Sequence, residues 1–595
     1  MKKKKSVNCP VTPAVEQVTR FGFLFRKPQA SGFTPSSNTT TLRIKLLPWA
    51  LLSLSPSLFA QQLPDAGSQI QQIPVLPAPQ QAPPQIRAQP AKPVPVAATD
   101  TTRILVNTLV ITGAKVYTQA ELVAVTGFVP GSELTLASLR DMAAKITALY
   151  ARNGYFAAQA YLPAQDIKSE TVTIAVREGE YGQIKLNNQS RLSDAVANNL
   201  LDGLKTGDPI TIAPLETRLL LLSDVPGIRV QSTLVPGSSQ GTSDLIVDVT
   251  PGQSVSGSID VDNAGNRYTG ENRLGATVSL NNPLGLGDIA TFRGITSGQG
   301  LNYGLLSYEL QAGRGRVGVS YSRLNYSLLR EFESLRANGV AEVASLYGSY
   351  PLIRSRDNNL YVRLGYDAKT FRDRIDSIGS ITDKKDDVLT ASLYGNRSDS
   401  LGGGGVSAYS LALSSGRLNI QTPAALAIDA TTARTNGSWN KLSFIATRLQ
   451  RVTDSVSVYG SLNGQFASKN LDSSEKMDLG GMNGVRAYPQ GEARADKGYL
   501  LTLEARLLLP RFSSNMPGQM HLVGFVDHGN VTINQQPWAP GVNNRTLNAG
   551  GVGLTWSEPG NFLVRTYYAR KLGNETALSA PDKSGRLWLQ AVKYF

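Results

Sequence analysis

The sequence holds a single cysteine, Cys9, in 595 residues. Once an N-terminal leader is removed, no disulfide framework, zinc cluster or thiol nucleophile is left to it. Histidine is almost as scarce, with only His521 and His528. Neither sits in a Ser-His-Asp or metal-ligand spacing, so no enzyme activity, metal or cofactor is expected. No later stretch reaches about 18 uninterrupted apolar residues, which argues against helical membrane spans. A Walker-type Gly-x-x-x-x-Gly-Lys-[Ser/Thr] run is absent as well, and with it a phosphate cradle. The net charge of +14 is front-loaded: residues 1–60 carry nine Lys/Arg and one Glu, which leaves about +6 for everything after them. That remainder forms no concentrated basic stripe, and nucleic acid is not an expected partner.

What is present is 56 glycines, 22 tyrosines and 41% hydrophobic residues, a balance neither disordered nor helical-membrane. Lys2 to Lys5, then Arg43 and Lys45, precede an apolar run from Leu46 to Phe59 interrupted by Pro48 and Pro56. This reads as a secretory signal over 1–60, cleaved between Ala60 and Gln61. Residues 61–102 form a proline-rich linker, with nine prolines between 61 and 100. A short helix is possible at Asp65–Gln72, capped by Asp65 and stopped by Pro74.

From Arg103 the pattern becomes strand, helix, helix, strand, strand. Ile104–Ile111 alternates; helices follow at Gln119–Val125, capped by Thr118, and at Leu136–Arg152, capped by Thr135. Strands are expected at Tyr155–Leu162 and Thr171–Arg177. The order then recurs: strand Gln183–Leu186, helices Ser193–Leu204 and Leu215–Leu222, strands Arg229–Leu234 and Asp244–Val249. The repeat is one of pattern and not of identity, and gives two small α+β modules at 103–179 and 180–251. Such sheets leave a strand edge that an incoming extended chain can extend.

Residues 252–595 carry segments of about ten alternating residues between Gly/Asn/Asp/Ser turns. Val255, Gly257, Ile259 and Val261 fall on one face, against Ser256, Ser258, Asp260 and Asp262. Leu501, Leu503, Ala505, Leu507 and Leu509 oppose Thr502, Glu504 and Arg506. An apolar face alternating with a polar one is the pattern of an outer-membrane barrel, because in lipid only a closed sheet satisfies every backbone group. A soluble β-sandwich would alternate similarly, but not over some 340 residues ending in the aromatic strand Leu587–Phe595. About 20 residues per strand and loop gives roughly 16 antiparallel strands.

Between two of these segments lies Gly480-Gly481-Met482-Asn483-Gly484-Val485-Arg486-Ala487-Tyr488-Pro489. The simplest reading is a surface loop with a solvated arginine. The other reading starts from Asp527, which shares a strand face with Val523 and Phe525. A carboxylate there looks into the lumen and wants a cation, and Arg486 is the candidate.

Several further stretches carry a resemblance: Tyr150-Ala-Arg-Asn-Gly-Tyr155, Leu162-Pro-Ala-Gln-Asp-Ile167, Val176-Arg-Glu-Gly179, Asp262-Asn-Ala-Gly265, Tyr268-Thr-Gly270 and Asn281-Asn-Pro-Leu-Gly-Leu-Gly-Asp288. Together with Gly484–Pro489 and Phe525–Gly529, in that order, they resemble the outer-membrane transporters of two-partner secretion, the haemolysin-activator and haemagglutinin-transporter family. The resemblance runs from about residue 103 to the C-terminus. It implies a membrane β-barrel of 16 strands preceded by two periplasmic polypeptide-transport-associated (POTRA) domains. It also implies a loop folded into the lumen, whose Val-Arg-Gly-Tyr tetrad falls on Val485, Arg486, Ala487 and Tyr488. The tetrad's arginine pairs with the aspartate of a Phe-x-Asp-x-Gly motif, here Phe525, Asp527 and Gly529. Ala487 departs from the tetrad's glycine, and Lys593 from the usual terminal strand. Some family members place an N-terminal helix in the pore, for which only Asp65–Gln72 could serve here. The implied function is export of a large exoprotein that carries an N-terminal secretion domain. Outer-membrane lipid and, during biogenesis, the barrel-assembly machinery are the other implied partners. A POTRA-barrel insertase is the alternative, though those relatives typically carry three or more periplasmic repeats. A diffusion porin would have no need of residues 103–250.

Overall fold

The computed structural model describes residues 63–74, 85–88, 102–167, 169–239 and 241–595. The expected signal with its Ala60/Gln61 junction lies outside them, as does most of the proline-rich tract. Helix α1 (Ala66–Gln71) begins where expected: the Asp65 carboxylate accepts from the Ser68 amide, and the Ser68 side chain reciprocates to the Asp65 amide. A strand not foreseen, β1 (Gln85–Ala88), follows.

In the first module the expected strand Ile104–Ile111 is two strands, β2 (Arg103–Val106) and β3 (Thr108–Thr112). They part at Asn107 because they join different sheets: β2 pairs with β4 (Ser132–Thr135) and β3 runs parallel to β6 (Thr171–Arg177). Helices α2 (Gln119–Thr126) and α3 (Leu136–Arg152) start on Thr118 and Thr135, whose hydroxyls take the third backbone N–H of each helix. The expected strand Tyr155–Leu162 shrinks to β5 (Gln159–Tyr161). Residues before it are used to end α3, where Gly154 turns at φ 87° and the Tyr155 amide returns to the Tyr150 carbonyl at 2.9 Å. Pro163 cannot continue the ladder, and the Gln165 side chain replaces it, pairing with both backbone groups of Thr173 at 2.7 and 2.8 Å.

Glu178 ties this module together. Its buried carboxylate accepts from the amides of Lys115 and Val116 and from the Tyr150 hydroxyl, each at 2.7 Å. Burial, and then this carboxylate, push the Tyr150 hydroxyl well above the ordinary tyrosine range, so it remains a donor. Glu178→Ala is expected to strip three bonds from one buried centre at a cost of about 2 kcal/mol. Hydrogen exchange at Lys115 and Val116 should accelerate by roughly 30-fold; unchanged protection would remove Glu178 as the anchor.

The second module repeats the topology: β7 (Glu180–Asn188), α4 (Asp194–Leu201), α5 (Ile212–Ser223), β8 (Ile228–Pro236) and β9 (Thr242–Pro251). Within the sheets β3, β5, β6 of the first module and β7, β8, β9 of the second, the first strand is parallel to the last and the middle one antiparallel to it. The two differ at the outer edge. The edge of β8, which the sequence reading left open, is filled by β1 pairing in parallel with Gln231–Leu234.

The barrel follows. β10 (Val255–Asp262), β11 (Arg273–Asn281), β12 (Ile289–Thr296), β13 (Leu301–Ala312), β14 (Gly315–Ser327) and β15 (Ala337–Arg354) come first. β16 (Asn358–Ile375), β17 (Ser380–Asp399), β18 (Gly405–Ile420), β19 (Gly437–Arg451) and β20 (Val456–Ala467) continue it. β21 (Lys497–Leu508), β22 (Gln519–Thr532), β23 (Asn544–Glu558), β24 (Phe562–Lys571) and β25 (Gly585–Tyr594) complete sixteen antiparallel strands, and β25 closes onto β10. The burial is inverted relative to a soluble sheet. On β10, Ser258, Asp260 and Asp262 are buried while Val255, Ile259 and Val261 are exposed. The apolar face meets lipid and the polar face the lumen.

The second module is fastened to two of the barrel's periplasmic turns. Asp224 holds Arg354 through two bonds of 2.7 Å, and Glu216 meets Arg356 at 2.6 Å, both at the turn between β15 and β16. At the turn between β11 and β12, the Ser193 amide donates to the Gly285 carbonyl at 2.8 Å. Gly285 has φ 78°, and a Cβ there would strike the Arg191 carbonyl at 2.5 Å. Close backbone approach accounts for glycine within Asn281–Asp288.

Candidate functional site

The segment between β20 and β21, residues 468–496, does not extend outward from the barrel. It returns into the lumen as a hairpin, with Met477 and Ala495 exchanging backbone bonds of 2.9 and 2.8 Å. At its tip the Val485 amide donates to the Leu479 carbonyl at 2.8 Å, and Gly481 at φ 117° supplies the sharp turn. Val485, Ala487 and Tyr488 are fully buried, and Arg486 is 3% exposed. The backbone at Ala487 does not take positive φ, so alanine replaces the tetrad's glycine without backbone strain.

The structure brings Arg486 and Asp527 together. Nε and Nη2 of Arg486 donate to the two Asp527 oxygens at 2.9 and 2.8 Å, and the Arg486 amide adds a third bond at 3.1 Å. Nη1 reaches Glu504 at 2.8 Å, a second carboxylate that sequence reasoning treated only as lumen lining. Glu504 is shared with Arg506 at 2.7 Å, so two guanidinium groups balance two carboxylates. Phe525 lies under the guanidinium, 3.4 Å from ring centroid to Cζ, with Tyr567 at 4.9 Å. The Trp588 indole N–H donates to the Arg486 carbonyl at 2.6 Å. Gly529 completes the wall: a Cβ there would collide with the Leu479 side chain. The signal for Glu504 was its place on the lumen face one strand from Asp527, where Thr502 stands opposite Asp527 and Glu504 opposite Phe525. His528 faces outward and bonds Asn548 at 2.7 Å and the Tyr499 hydroxyl at 3.2 Å.

Beyond its tip, the loop presents acids to a basic wall. Asp472 meets Lys384 on β17 at 2.7 Å, Glu475 meets Lys441 on β19 at 2.6 Å and also Lys369 on β16, and Glu492 meets Arg545 on β23. Helix α1 lies in the same lumen, against β14, β15 and β16, with Ala66, Gly67, Ser68 and Gln69 buried. The Ala66 amide donates to Asp373 at 2.8 Å, and Arg273 holds the Gln72 carbonyl at 3.0 Å. Its other side meets the loop. Ser473 donates to Asp65 at 2.6 Å, the Gln71 side chain bonds the Ser474 carbonyl, and a Cβ on Gly67 would stand 2.7 Å from the Ser473 hydroxyl. Lys384 touches both, at 2.7 Å to Asp472 and 3.5 Å to Asp65.

A lipid-facing barrel, a loop and helix inside it, and POTRA-like modules on its periplasmic turns define an outer-membrane transporter of the POTRA-barrel class. Residues 104–179 match the POTRA domain of ShlB type, and residues 241–555 match the family described as haemolysin secretion/activation protein ShlB/FhaC/HecB. The chain belongs to this family of two-partner secretion transporters, which work in the outer membrane with their POTRA domains in the periplasm. It is 30% identical over 474 residues to the heme/hemopexin transporter protein HuxB of Haemophilus influenzae, covering 78% of this chain and 82% of HuxB. The outer membrane transporter CdiB of Dickeya dadantii is 23% identical over 420 residues, covering 68% of this chain and 72% of CdiB. Among solved structures, CdiB from Escherichia coli superposes with a TM-score of 0.64 at 22% identity, over 85% of this chain and 93% of that one. BamA from Haemophilus ducreyi lacking POTRA domains 1–3 shares the fold at a TM-score of 0.51 and 14% identity, over 83% of this chain and all of that one. The chain is thus an outer-membrane pore for export of a partner exoprotein, as the sequence led one to expect.

Proposed function

We propose that the hairpin 468–496 is an internal latch, and that Arg486 is the residue that sets its position for export. The carrying observation is the Arg486 guanidinium, which is held by two carboxylates and one aromatic face in a buried pocket. In this reading the unfolded partner's N-terminal secretion domain meets the two periplasmic modules, assigned to 103–179 and 180–251. It then threads the barrel, assigned to 252–595, as the loop gives way. Residues 1–60 serve as the export signal and 61–102 as a tether for α1. No catalytic step is involved; folding of the partner outside the cell supplies the direction. The similarity to HuxB over most of both chains supports a cargo of the heme-acquisition class. Membership of the secretion family weighs against the insertase alternative.

Co-expression with a large exoprotein encoded beside it tests the reading. Delivery to the surface or medium should be lost on deleting residues 103–250, while other outer-membrane proteins keep their levels. Secretion that survives the deletion would remove the recognition role, and a general loss of outer-membrane proteins on depletion would favour the insertase.

A further inference from the structure

Toward its extracellular end the outer wall of the barrel is chemically uneven. On β22 and β23 the outward residues there are uncharged and satisfy one another: His528 with Asn548, Asn530 with Thr546 at 2.7 Å, and Thr532 with Asn544 at 2.8 Å. On β14 to β18 the same zone is charged. Pairing register sets Arg323 opposite Glu342, Glu342 opposite Thr370, and Thr370 opposite Lys385. These side chains point outward, because their neighbours Ser322, Leu324, Phe371, Lys384, Asp386 and Leu418 are buried inside.

The four carboxylates of this zone all have partners: Asp376 accepts from the Asn338 side-chain amide at 2.9 Å, and Asp387 stands opposite Arg417 in the register. Glu342 takes Arg323 at 2.8 Å and the Tyr321 hydroxyl at 2.7 Å; Asp383 takes Arg372 at 2.6 Å; Asp387 takes the Tyr366 hydroxyl at 2.8 Å. Three exposed cations on consecutive strands, Arg374, Lys385 and Arg417, are left without an ion pair among the described residues. Lys385 and Arg417 are one strand and one outward step apart, about 8 Å between Cα atoms from strand spacing and rise. The exposed ring of Tyr321 shares a cross-strand row with Arg417, and one outward step lower the exposed ring of Tyr366 stands in a row with Val319, Leu346 and Leu389, all exposed. Tyrosines of this kind mark the boundary between headgroups and acyl chains.

Cations without an ion pair, at and above the level of a tyrosine and one or more outward steps above a row of apolar side chains, fit a ligand that is anionic at its head and aliphatic below. At this end of an outer-membrane barrel, opposite the periplasmic modules, the amphiphile of that description is the phosphorylated glycolipid of the outer leaflet. We propose that the β14–β18 face binds lipopolysaccharide. Arg374, Lys385 and Arg417 take its lipid A phosphates, and Val319, Leu346 and Leu389 take its acyl chains. Guanidinium and ammonium groups bond phosphate oxygens strongly once water is partly excluded.

The test uses the full chain purified in detergent and titrated with rough lipopolysaccharide, with binding read by native mass spectrometry. The parallel arms are dephosphorylated lipid A and phosphatidylglycerol. The variant carrying Arg374→Gln, Lys385→Gln and Arg417→Gln should bind lipopolysaccharide at least about ten-fold more weakly, at the affinity scale of basic residues near a charged bilayer. The variant carrying Thr532→Ala and Asn544→Ala, on the uncharged face, should bind as the parent does. Dephosphorylated lipid A should bind weakly to both. Undiminished binding by the triple variant overturns the proposal, as does phosphatidylglycerol held as tightly as lipopolysaccharide. Heat-modifiable migration confirms that each barrel is assembled; if the triple variant is not, Lys385→Gln alone should show a reduction of several-fold, and parent-like binding there overturns the proposal equally.

Discussion

Secretion is expected to fall at least about 100-fold in Arg486→Ala, with the barrel still assembled and heat-modifiable. Truncation leaves Asp527 and Glu504 buried without their shared cation, a loss on the order of 3–5 kcal/mol for a broken buried pair, more than a 100-fold change requires. The loop tip is then no longer pinned to β22 and can wander across the path its cargo must take. Arg486→Lys should rescue little. An ammonium cannot donate to Asp527 through two parallel bonds, reach Glu504 and lie flat on Phe525 at once. Exchanging the charges, with Arg486→Asp and Asp527→Arg, should also fail, because the carboxylate would then face the Phe525 ring. Exported partner in the medium, normalised to folded barrel, is the measurement. Parent-level secretion by Arg486→Ala would show that the pocket serves stability alone.

The second large effect concerns the lumen itself. Deleting residues 63–74 removes α1 together with its bonds to Asp373, Ser473, Ser474 and Arg273, and single-channel conductance in planar bilayers should rise several-fold. Lys384→Ala should give an intermediate rise, since the lysine binds Asp65 of the helix and Asp472 of the loop. Combining the two changes should raise conductance by less than the sum of the separate rises, as expected of groups that share a partner. Fully additive effects would mean that helix and loop are held independently. A deletion variant with unaltered conductance would show that α1 does not obstruct the pore.

The barrel was legible in the sequence because lipid inverts an ordinary rule: Ile259 and Val261 had to face out, so Asp260 and Asp262 had to face in. Asp527 was legible as half of a pair for the same reason, since an inward carboxylate demands a cation. Glu504 was seen on the correct face but not as the second partner, because that depends on the register of β21 against β22. The loop's acids, Asp472, Glu475 and Glu492, were invisible as anchors; their partners on β16, β17, β19 and β23 are fixed by closure of the barrel, not by spacing. Helix α1 was anticipated from Asp65 and Pro74, but six residues carry too little pattern to say what they pack against. The break at Asn107 and the shortened β5 were missed because strand propensity does not report which sheet a strand will join.

The two ion pairs that fasten the second module to the barrel, Asp224 with Arg354 and Glu216 with Arg356, converge on one hairpin turn. From that turn β16 rises through 18 residues, about 60 Å along the strand. Its upper half presents Lys369 to Glu475 of the loop and Asp373 to the first turn of α1. A cargo that pulls on the periplasmic module therefore loads the same strand that holds both obstructions. The hairpin is a tie-rod between the entrance and the gate, and tension at one end is felt first at the bonds that must break at the other.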